Sequence, residues 1–253
     1  MDIGARELYE ERKQKVTNFV SDCNQHEHYQ HLNPRPEHFS NWKEERPIMQ
    51  EYGTWIMAES NCPSLKLDIE FPYKTVLEEV MPQYHQFVKH RGNQHPGWSS
   101  MCIHGQGVRY TDPPKEYPDV DADFHWTELS EQCPETTKWF KTQWPFTSFD
   151  RVRFMLLEPG GFIQPHADYE ERRLAAYNIA VSNPPGVDFA MEEAGCIPWE
   201  EGDVRAIDIG RKHSVINNSN EDRIHMIVHG KWNQNFKELL CRSYDKLLES
   251  LAD

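Results

Sequence analysis

Beyond Gly97 the chain changes to short segments in which apolar or β-branched residues alternate with polar ones, and Gly, Pro or Asn closes each segment. Two-residue alternation is typical of β-strands that bury one face. Many short strands closed by turn residues favour a sandwich or barrel over an alternating α/β sheet. The predicted strands are 98–104, 151–157, 175–182, 187–191, 203–209, 213–217 and 223–230, with a helix at 134–144 among them.

Helical patterns flank this strand-rich part. Residues 1–20 carry apolar side chains spaced along one helical face, namely Leu8, Val16 and Phe19. A second helix is predicted at 74–91 with Gly92 as its stop, and a last one at 235–251.

We therefore expect a helical and irregular N-terminal region at 1–96, packed on a mainly β domain at 97–234, and a C-terminal helix at 235–253. The early stretch 23–72 is rich in Pro, His and Asn and is predicted to be irregular. Its cluster of histidines, His26, His28 and His31, is interpreted as a solvated loop.

Composition and charge exclude several functions. The 253 residues are 38% hydrophobic and 12% aromatic, which is enough for one buried core. A formal charge of -14 argues against a nucleic-acid or anionic-lipid partner. No apolar run approaches the ~18 residues of a membrane helix, and no apolar leader follows the amino terminus. Six scattered cysteines without a Cys-x-x-Cys pair indicate reduced thiols, and hence a cytoplasmic protein.

Three polar features fall in the strand-rich part. In an extended segment His166 and Asp168 point to the same side, so one imidazole and one carboxylate can meet at a point. His213 follows the turn-like sequence Ile-Gly-Arg-Lys and is predicted to open a later strand. Two imidazoles and one carboxylate suit non-haem Fe(II), because three adjacent coordination positions stay open.

Arg223 lies ten residues after His213, at the start of an apolar strand. Two open positions on the metal can chelate a 2-oxo acid, and the third can take O2. If that acid carries a second carboxylate, arginine can hold it with two parallel hydrogen bonds, which lysine cannot. We therefore predict that Arg223 binds the far carboxylate of 2-oxoglutarate.

Each feature has a simpler interpretation when taken alone. With 13 histidines in the chain, one His-x-Asp is expected by chance about once. His166 alone could be a turn histidine that caps a backbone group, and Arg223 alone could be a surface charge on a strand. The order of the three features within predicted strands favours the metal site.

These motifs resemble the aspartyl/asparaginyl β-hydroxylase family. The similar segments are VRFMLLEPGGFIQPH at 152–166, WEEGDV at 199–204, DIGRKH at 208–213 and Arg223, with Trp98-Ser99 and PETT at 134–137 upstream. The resemblance covers roughly residues 97–234, which is more than half of the chain.

The resemblance implies a double-stranded β-helix, a jelly-roll or cupin-like core, with Fe(II) and 2-oxoglutarate at one mouth. It implies a dioxygenase that uses O2 to hydroxylate an unactivated carbon of an amino acid or amino-acid side chain, with release of succinate and CO2. Free amino acids are substrates of proline-hydroxylase-like members, and peptidyl Asp or Asn of others. No catalytic residue beyond the metal ligands is implied.

Departures from the family pattern are informative. Asp168 stands where vertebrate-type members have Gly, which places this chain nearer the proline-hydroxylase-like branch and argues against a halogenase. The Arg and His that hold the near carboxylate of the cosubstrate correspond to Ala176 and Asn178, so Asn178 is expected to bind 2-oxoglutarate in place of the His. An arginine elsewhere could compensate for Ala176, the candidates being Arg153, Arg172 and Arg173.

Candidate substrate contacts follow from position and charge, and they are Trp98, Tyr169, Arg151, Arg172 and Arg173. Two other functions stay open. One is a non-catalytic metal-binding barrel that acts as a sensor or binding module, and the other is a metal-dependent hydrolase or isomerase. The sequence leaves the substrate and the oligomeric state undetermined.

Overall fold

The computed structural model describes residues 3–34, 56, 59–91, 94–111, 123–168 and 174–252, and for 174–176 it describes the backbone only. The helices are α1 (Ile3–Cys23), α2 (Tyr73–Val80), α3 (Leu129–Gln132), α4 (Pro134–Thr142) and α5 (Gln234–Ala252), and a 3-10 helix spans Met81–Gln86. Helix α4 shows why these segments form: Pro134 occupies the first turn, Glu135 lies at the amino end and Lys141 at the carboxyl end.

The strands are β1 (Ser64–Lys66), β2 (Val88–Lys89), β3 (Trp98–Gly105), β4 (His125–Trp126), β5 (Phe146–Leu157), β6 (Phe162–His166), β7 (Leu174–Ser182), β8 (Val187–Met191), β9 (Gly195–Cys196), β10 (Val204–Asp208), β11 (His213–Asn217) and β12 (Arg223–Trp232). They form a large sheet in the order β1-β10-β7-β12-β5-β3-β2, with β4 paired to β3, and a small sheet in the order β6-β11-β8-β9. The described strand pairs are antiparallel.

The large sheet is buried on both faces. Its outer face contributes Phe154, Ile179 and Met226 to a core shared with α2, α4 and α5. Its inner face contributes Met155 and Leu157 to a second core, whose small-sheet members are Ile163, Phe189, Met191 and Val215. Two antiparallel sheets that enclose one interior form the double-stranded β-helix that the sequence predicts, with helices outside.

Helix α1 covers the outer face of the small sheet. Val16, Val20 and Cys23 pack there against Phe162 and other residues of the sheet. His28, just beyond α1, donates from Nδ1 to the Ala194 carbonyl (2.9 Å) and accepts at Nε2 from the Ser64 hydroxyl (2.7 Å). The solvated loop predicted for this histidine is therefore wrong at His28, which joins α1 to both sheets.

Most predicted elements are found with small shifts, but the helix predicted at 74–91 is wrong in its second half. The α-helix ends at Val80 and continues as the 3-10 helix, and Val88 already begins β2. Pro82 lacks the amide hydrogen that an α-helix needs at that position. Gly92, predicted as the stop, lies outside the described residues.

Strand β6 is absent from the predicted strands because Pro165 interrupts a short run, and proline cannot donate to a sheet. The structure accommodates Pro165 because β6 is the edge strand of the small sheet. Strand β1 comes from the segment predicted to be irregular, and β1 and β2 bring residues of the 1–96 region into the large sheet. The division at 96/97 stays a prediction.

None of the described helices combines the length and apolarity that crossing a bilayer requires. The six cysteines, which all lie within the described residues, form no disulfide bond.

Candidate metal centre

Strands β6 and β11 bring the predicted ligands together. His166, at the end of β6, is the register partner of His213, at the start of β11. Asp168 lies just beyond β6, where its amide N–H donates to the Ile209 carbonyl (2.9 Å). One ligand atom from each of the three side chains lies within 4.8 Å of the others. The spacing His-x-Asp therefore places an imidazole and a carboxylate on one side, and the neighbouring strand adds the second imidazole.

Backbone carbonyls orient both imidazoles. His166 Nδ1 lies 2.8 Å from the Gln164 carbonyl, and His213 Nδ1 lies 2.9 Å from the Arg211 carbonyl. A carbonyl oxygen only accepts, so each Nδ1 carries a proton and Nε2 is the ring nitrogen left for a metal. A carbonyl that accepts from Nδ1 fixes the tautomer and the orientation of the ring, and this prepares the other nitrogen to bind a metal.

The pKa values of two ligands favour the metal-binding forms at neutral pH. Burial lowers the pKa of His213 to about 4, so its ring is neutral. Burial alone would raise the pKa of Asp168, but its hydrogen bond with His166 and its electrostatic interactions with His213 and His166 outweigh this and lower the pKa to about 2. For His166, the bonds to Asp168 and to the Gln164 carbonyl outweigh burial and raise the pKa. The Asp168 carboxylate oxygen lies 3.4 Å from His166 Nε2. A metal cation that replaces the proton on Nε2 would therefore bind both His166 and a carboxylate that already faces it.

Two residues that the sequence did not indicate form the walls of the centre. Phe189 of β8 stacks on His213, with ring centroids 5.6 Å apart. His95 packs on His166 at 5.8 Å and accepts the Gln164 amide N–H at Nδ1 (3.1 Å). His95 precedes β3 in a segment with no regular pattern, so only the fold brings it here.

Arg223 lies inside the barrel at the start of β12. Its side chain is 3% exposed, and its Nη2 donates to His225 Nδ1 (2.8 Å). Its Nε has no hydrogen-bond partner among the described residues. No carboxylate among these residues offsets the positive charge of the guanidinium. Burial consequently lowers the pKa of Arg223 to about 9. An isolated buried guanidinium is unfavourable, so this position fits an anion with two acceptor oxygens.

Exposure along β12 shows which end of the barrel is open. Arg223, His225, Ile227 and His229 alternate onto the inner face; the first two are buried and the last two are half-buried. The Arg223 end is therefore closed, and the His229 end faces the opening. Phe189 links the two parts, because its ring lies 5.6 Å from the His213 ring and 5.9 Å from Arg223 Cζ. A small ligand could reach both the metal ligands and Arg223.

The other predicted contacts have different outcomes. Asn178 is buried on β7 between Arg205 and Ile227 in the register of the sheet, and Arg151 is buried on β5 opposite His229. Trp98 packs edge-on against His90 and His95. Binding roles for Asn178, Arg151 and Trp98 stay predictions. Three further candidates lie outside the described residues, namely Tyr169, Arg172 and Arg173, and so does the side chain of Ala176.

A β-helix that carries two histidines and one carboxylate at its open end, with a buried arginine beyond them, defines a class of non-haem metal oxygenase. The sequence matches the model of the aspartyl/asparaginyl β-hydroxylase family over residues 59–231. The chain belongs to this family. It is an iron(II)- and 2-oxoglutarate-dependent oxygenase of the hydroxylase type, as the sequence predicts.

Solved structures of similar fold are distant. A 2OG-Fe(II) oxygenase family oxidoreductase from Burkholderia pseudomallei is 13% identical, with 75% of this chain and 95% of that chain covered and a TM-score of 0.44. A prolyl-4-hydroxylase from Pseudomonas putida is 13% identical, with 74% and 100% covered and a TM-score of 0.43. A Trichoplax adhaerens prolyl hydroxylase, in complex with a hypoxia inducible factor peptide fragment, is 12% identical, with 78% and 98% covered and a TM-score of 0.44. No curated protein sequence gives a match.

Proposed function

We propose that His166, Asp168 and His213 hold Fe(II), and that Arg223 binds the far carboxylate of 2-oxoglutarate. The enzyme then hydroxylates an unactivated carbon of an amino acid or of an amino-acid side chain. One oxygen atom of O2 enters the product and the other enters succinate, with release of CO2. The observation that carries this proposal is the buried Arg223, uncompensated by a described carboxylate and one phenyl ring away from the ligand set.

The residues of the centre fit both Fe(II) and 2-oxoglutarate. Nitrogen and carboxylate donors on one side of the centre suit Fe(II) and leave positions for two further ligands. The orphaned Nε of Arg223 supplies a donor for a carboxylate oxygen. Bound iron supplies the redox chemistry with 2-oxoglutarate and O2.

The chain itself binds, orients and excludes water. The Gln164 and Arg211 carbonyls keep the ligand nitrogens available, and Arg223 fixes one end of the cosubstrate. Asn178 is the amide that we assign to the cosubstrate's near carboxylate. The interior between Phe189 and Met155 is apolar, which strengthens these polar interactions.

The experiment that tests this proposal supplies Fe(II), 2-oxoglutarate and a panel of L-amino acids and short peptides under anaerobic conditions, and then admits O2. We expect succinate and a product about 16 mass units heavier for at least one member of the panel. His166→Ala and His213→Ala are the matched controls and should give neither. A non-catalytic binding barrel would bind the cosubstrate but release no succinate with any panel member.

We also infer a reducing compartment such as the cytoplasm. Five of the six cysteines are buried and none forms a disulfide bond, which indicates that their side chains serve as packing groups. The net charge of -14 supports a small-molecule or peptidyl substrate over a nucleic acid.

A further inference from the structure

One tryptophan lies a single histidine away from a proposed metal ligand. The Trp98 ring contacts His95 edge-on, with ring centroids 5.2 Å apart, and His95 packs on His166 at 5.8 Å. His95 is held in place, because its Nδ1 accepts the Gln164 amide N–H (3.1 Å). Trp98, His95 and His166 therefore form a continuous row of rings that leads away from the metal centre.

A cavity of about 440 Å³ borders the far end of this row of rings. Its wall includes Trp98 and Ser99 at the start of β3, and Leu8 and Arg12 of α1. Leu8 is 45% exposed, so the cavity opens to solvent on the side of α1. Trp98 is 8% exposed, which means that water reaches part of an otherwise buried indole ring.

A second tryptophan lies at a similar separation from the metal centre but in a different environment. The Phe189 ring lies between Trp199 and His213, with centroid distances of 6.4 and 5.6 Å. The Trp199 Nε1 is enclosed and has no hydrogen-bond partner among the described residues. The Arg205 guanidinium carbon lies 5.5 Å from the centre of the Trp199 ring. A positive charge at this distance should disfavour the loss of an electron from Trp199 by ~10-fold or more.

The two tryptophans therefore differ in what oxidation requires. Indole is among the side chains that lose an electron most readily, and its N–H becomes acidic once the electron has gone. Trp98 borders water that can take this proton, whereas the enclosed N–H of Trp199 has no acceptor among the described residues. His95, which accepts an N–H at Nδ1, is neutral and adds no positive charge beside Trp98. Oxidation is thus favoured at Trp98.

We propose that Trp98 is an internal electron donor that restores the metal centre when no substrate is bound. Two electrons pass from Trp98 through His95 to the iron that 2-oxoglutarate and O2 have oxidised, and the iron returns to Fe(II). Water adds to a ring carbon of Trp98, whose bond to hydrogen breaks, and hydroxytryptophan forms. The two protons released join the oxygen atom of O2 that does not enter succinate, which leaves as water. This inference rests on the proposed function, because the same centre supplies the oxidant.

The test supplies the Fe(II)-loaded protein with 2-oxoglutarate and O2 but no substrate, and then maps oxidised residues by tryptic digestion and tandem mass spectrometry. Cleavage after Arg91 and Arg109 places Trp98 and Met101 in one peptide, and fragment ions distinguish the two. We expect Trp98 to become about 16 mass units heavier. Oxidation of Trp199 should be ~10-fold lower or less. Succinate and hydroxytryptophan should form in equal amounts, and in isotope-labelled water the added oxygen should carry the label.

Variants then locate the electron donor. Trp98→Phe should gain no oxygen at residue 98 and should release succinate more slowly without substrate, because phenyl is harder to oxidise than indole. Trp199→Phe is the matched control and should leave the Trp98 product unchanged. His213→Ala should form no hydroxytryptophan, since the oxidant needs the metal centre. Wild-type protein given succinate in place of 2-oxoglutarate should form none either, which separates the reaction from non-specific oxidation by dissolved Fe(II).

Three results would overturn the inference. Trp98 could stay unmodified, the oxygen could appear chiefly on Trp199 or on Met155 and Met191 of the inner core, or Trp98 could take its oxygen from isotope-labelled O2, which would mean direct insertion. If Trp98→Phe does not fold, the oxidation map of the wild-type protein decides. Failure of the proposed function itself looks different, because the wild-type protein would then show no charge-transfer band with 2-oxoglutarate before O2 is admitted.

Discussion

A single buried guanidinium distinguishes this centre from a general metal site. Arg223→Ala should raise the apparent Michaelis constant for 2-oxoglutarate by ~100-fold or more, because a desolvated bidentate pair is lost. Arg223→Lys should recover only part of this, since an ammonium lacks the fork. Succinate release as a function of 2-oxoglutarate concentration measures both variants. Lys231→Ala, an exposed residue of the same strand, is the control, and an Arg223→Ala variant that behaves like it would show that another cation anchors the cosubstrate.

The three ligands should respond unequally to substitution. His166→Ala and His213→Ala remove nitrogens held by backbone bonds and should abolish turnover. Asp168→Gly removes the exposed carboxylate, and we expect weaker iron retention with part of the activity kept, as the vertebrate-type pattern with Gly implies. Iron per chain after gel filtration, measured beside turnover, separates these effects. Full iron occupancy in His213→Ala would contradict the assignment.

Residues whose roles depend on short spacing could be predicted from the sequence. His166 and Asp168 share a side because the strand repeat is two. Arg223 follows His213 by one short connection, which leads from β11 of the small sheet to β12 of the large sheet. His95 and Phe189 could not be predicted, because they reach the centre only when distant segments of the chain fold against each other. Their packing is a property of the closed barrel, which local pattern does not encode.

At the scale of elements, β6 is the instructive case. The segment carries the proposed metal ligand His166, yet Pro165 made it unlike a strand in the sequence. The edge position of β6 accounts for the proline, since an edge strand needs fewer backbone N–H donors. The carboxyl end of β6 then leads directly to Asp168. The strands predicted at 187–191 and 213–217 match the observed bounds, because uninterrupted runs closed by turns carry a strong local signal.

The attachment of α1 to the sheets should depend on pH through His28. Burial lowers the pKa of His28 to about 4, against a bond to the Ala194 carbonyl that raises it, while the unfolded value is ~6.5. Between these values the unfolded chain binds more protons, so stability is complete above pH ~6.5 and falls as the pH decreases toward 4.

Between pH 7.5 and pH 5 the unfolding free energy of the wild-type protein should therefore fall by about 1–2 kcal/mol more than that of the His28→Asn variant. The variant should be less stable at pH 7.5, where it lacks the bond to Ser64, but its pH dependence should be shallower. Urea unfolding at the two pH values measures this. His125→Gln, an exposed histidine on β4, is the control. If the unfolding free energies of His28→Asn and the wild-type protein depended equally on pH, this would contradict the role of His28 in attaching α1 to the sheets.

At the scale of the whole molecule, the two sheets have different structural roles. The large sheet is stabilised from outside by helices and presents its inner face to the small sheet, which carries the two histidines of the proposed metal centre. A barrel class was predictable from many short strands with turn residues. The order of strands in the sheets was not predictable, because it depends on pairings across most of the chain.

The most direct test of the metal centre is an anaerobic titration of 2-oxoglutarate into the Fe(II)-loaded protein, followed by the metal-to-ligand charge-transfer absorption. The wild-type protein should develop a saturable band that disappears, with release of succinate, when O2 is admitted together with a substrate. The same titration of His166→Ala or His213→Ala should give no band. A wild-type protein without a band, or an undiminished band in these variants, would contradict the assignment of His166, Asp168 and His213 as the iron site.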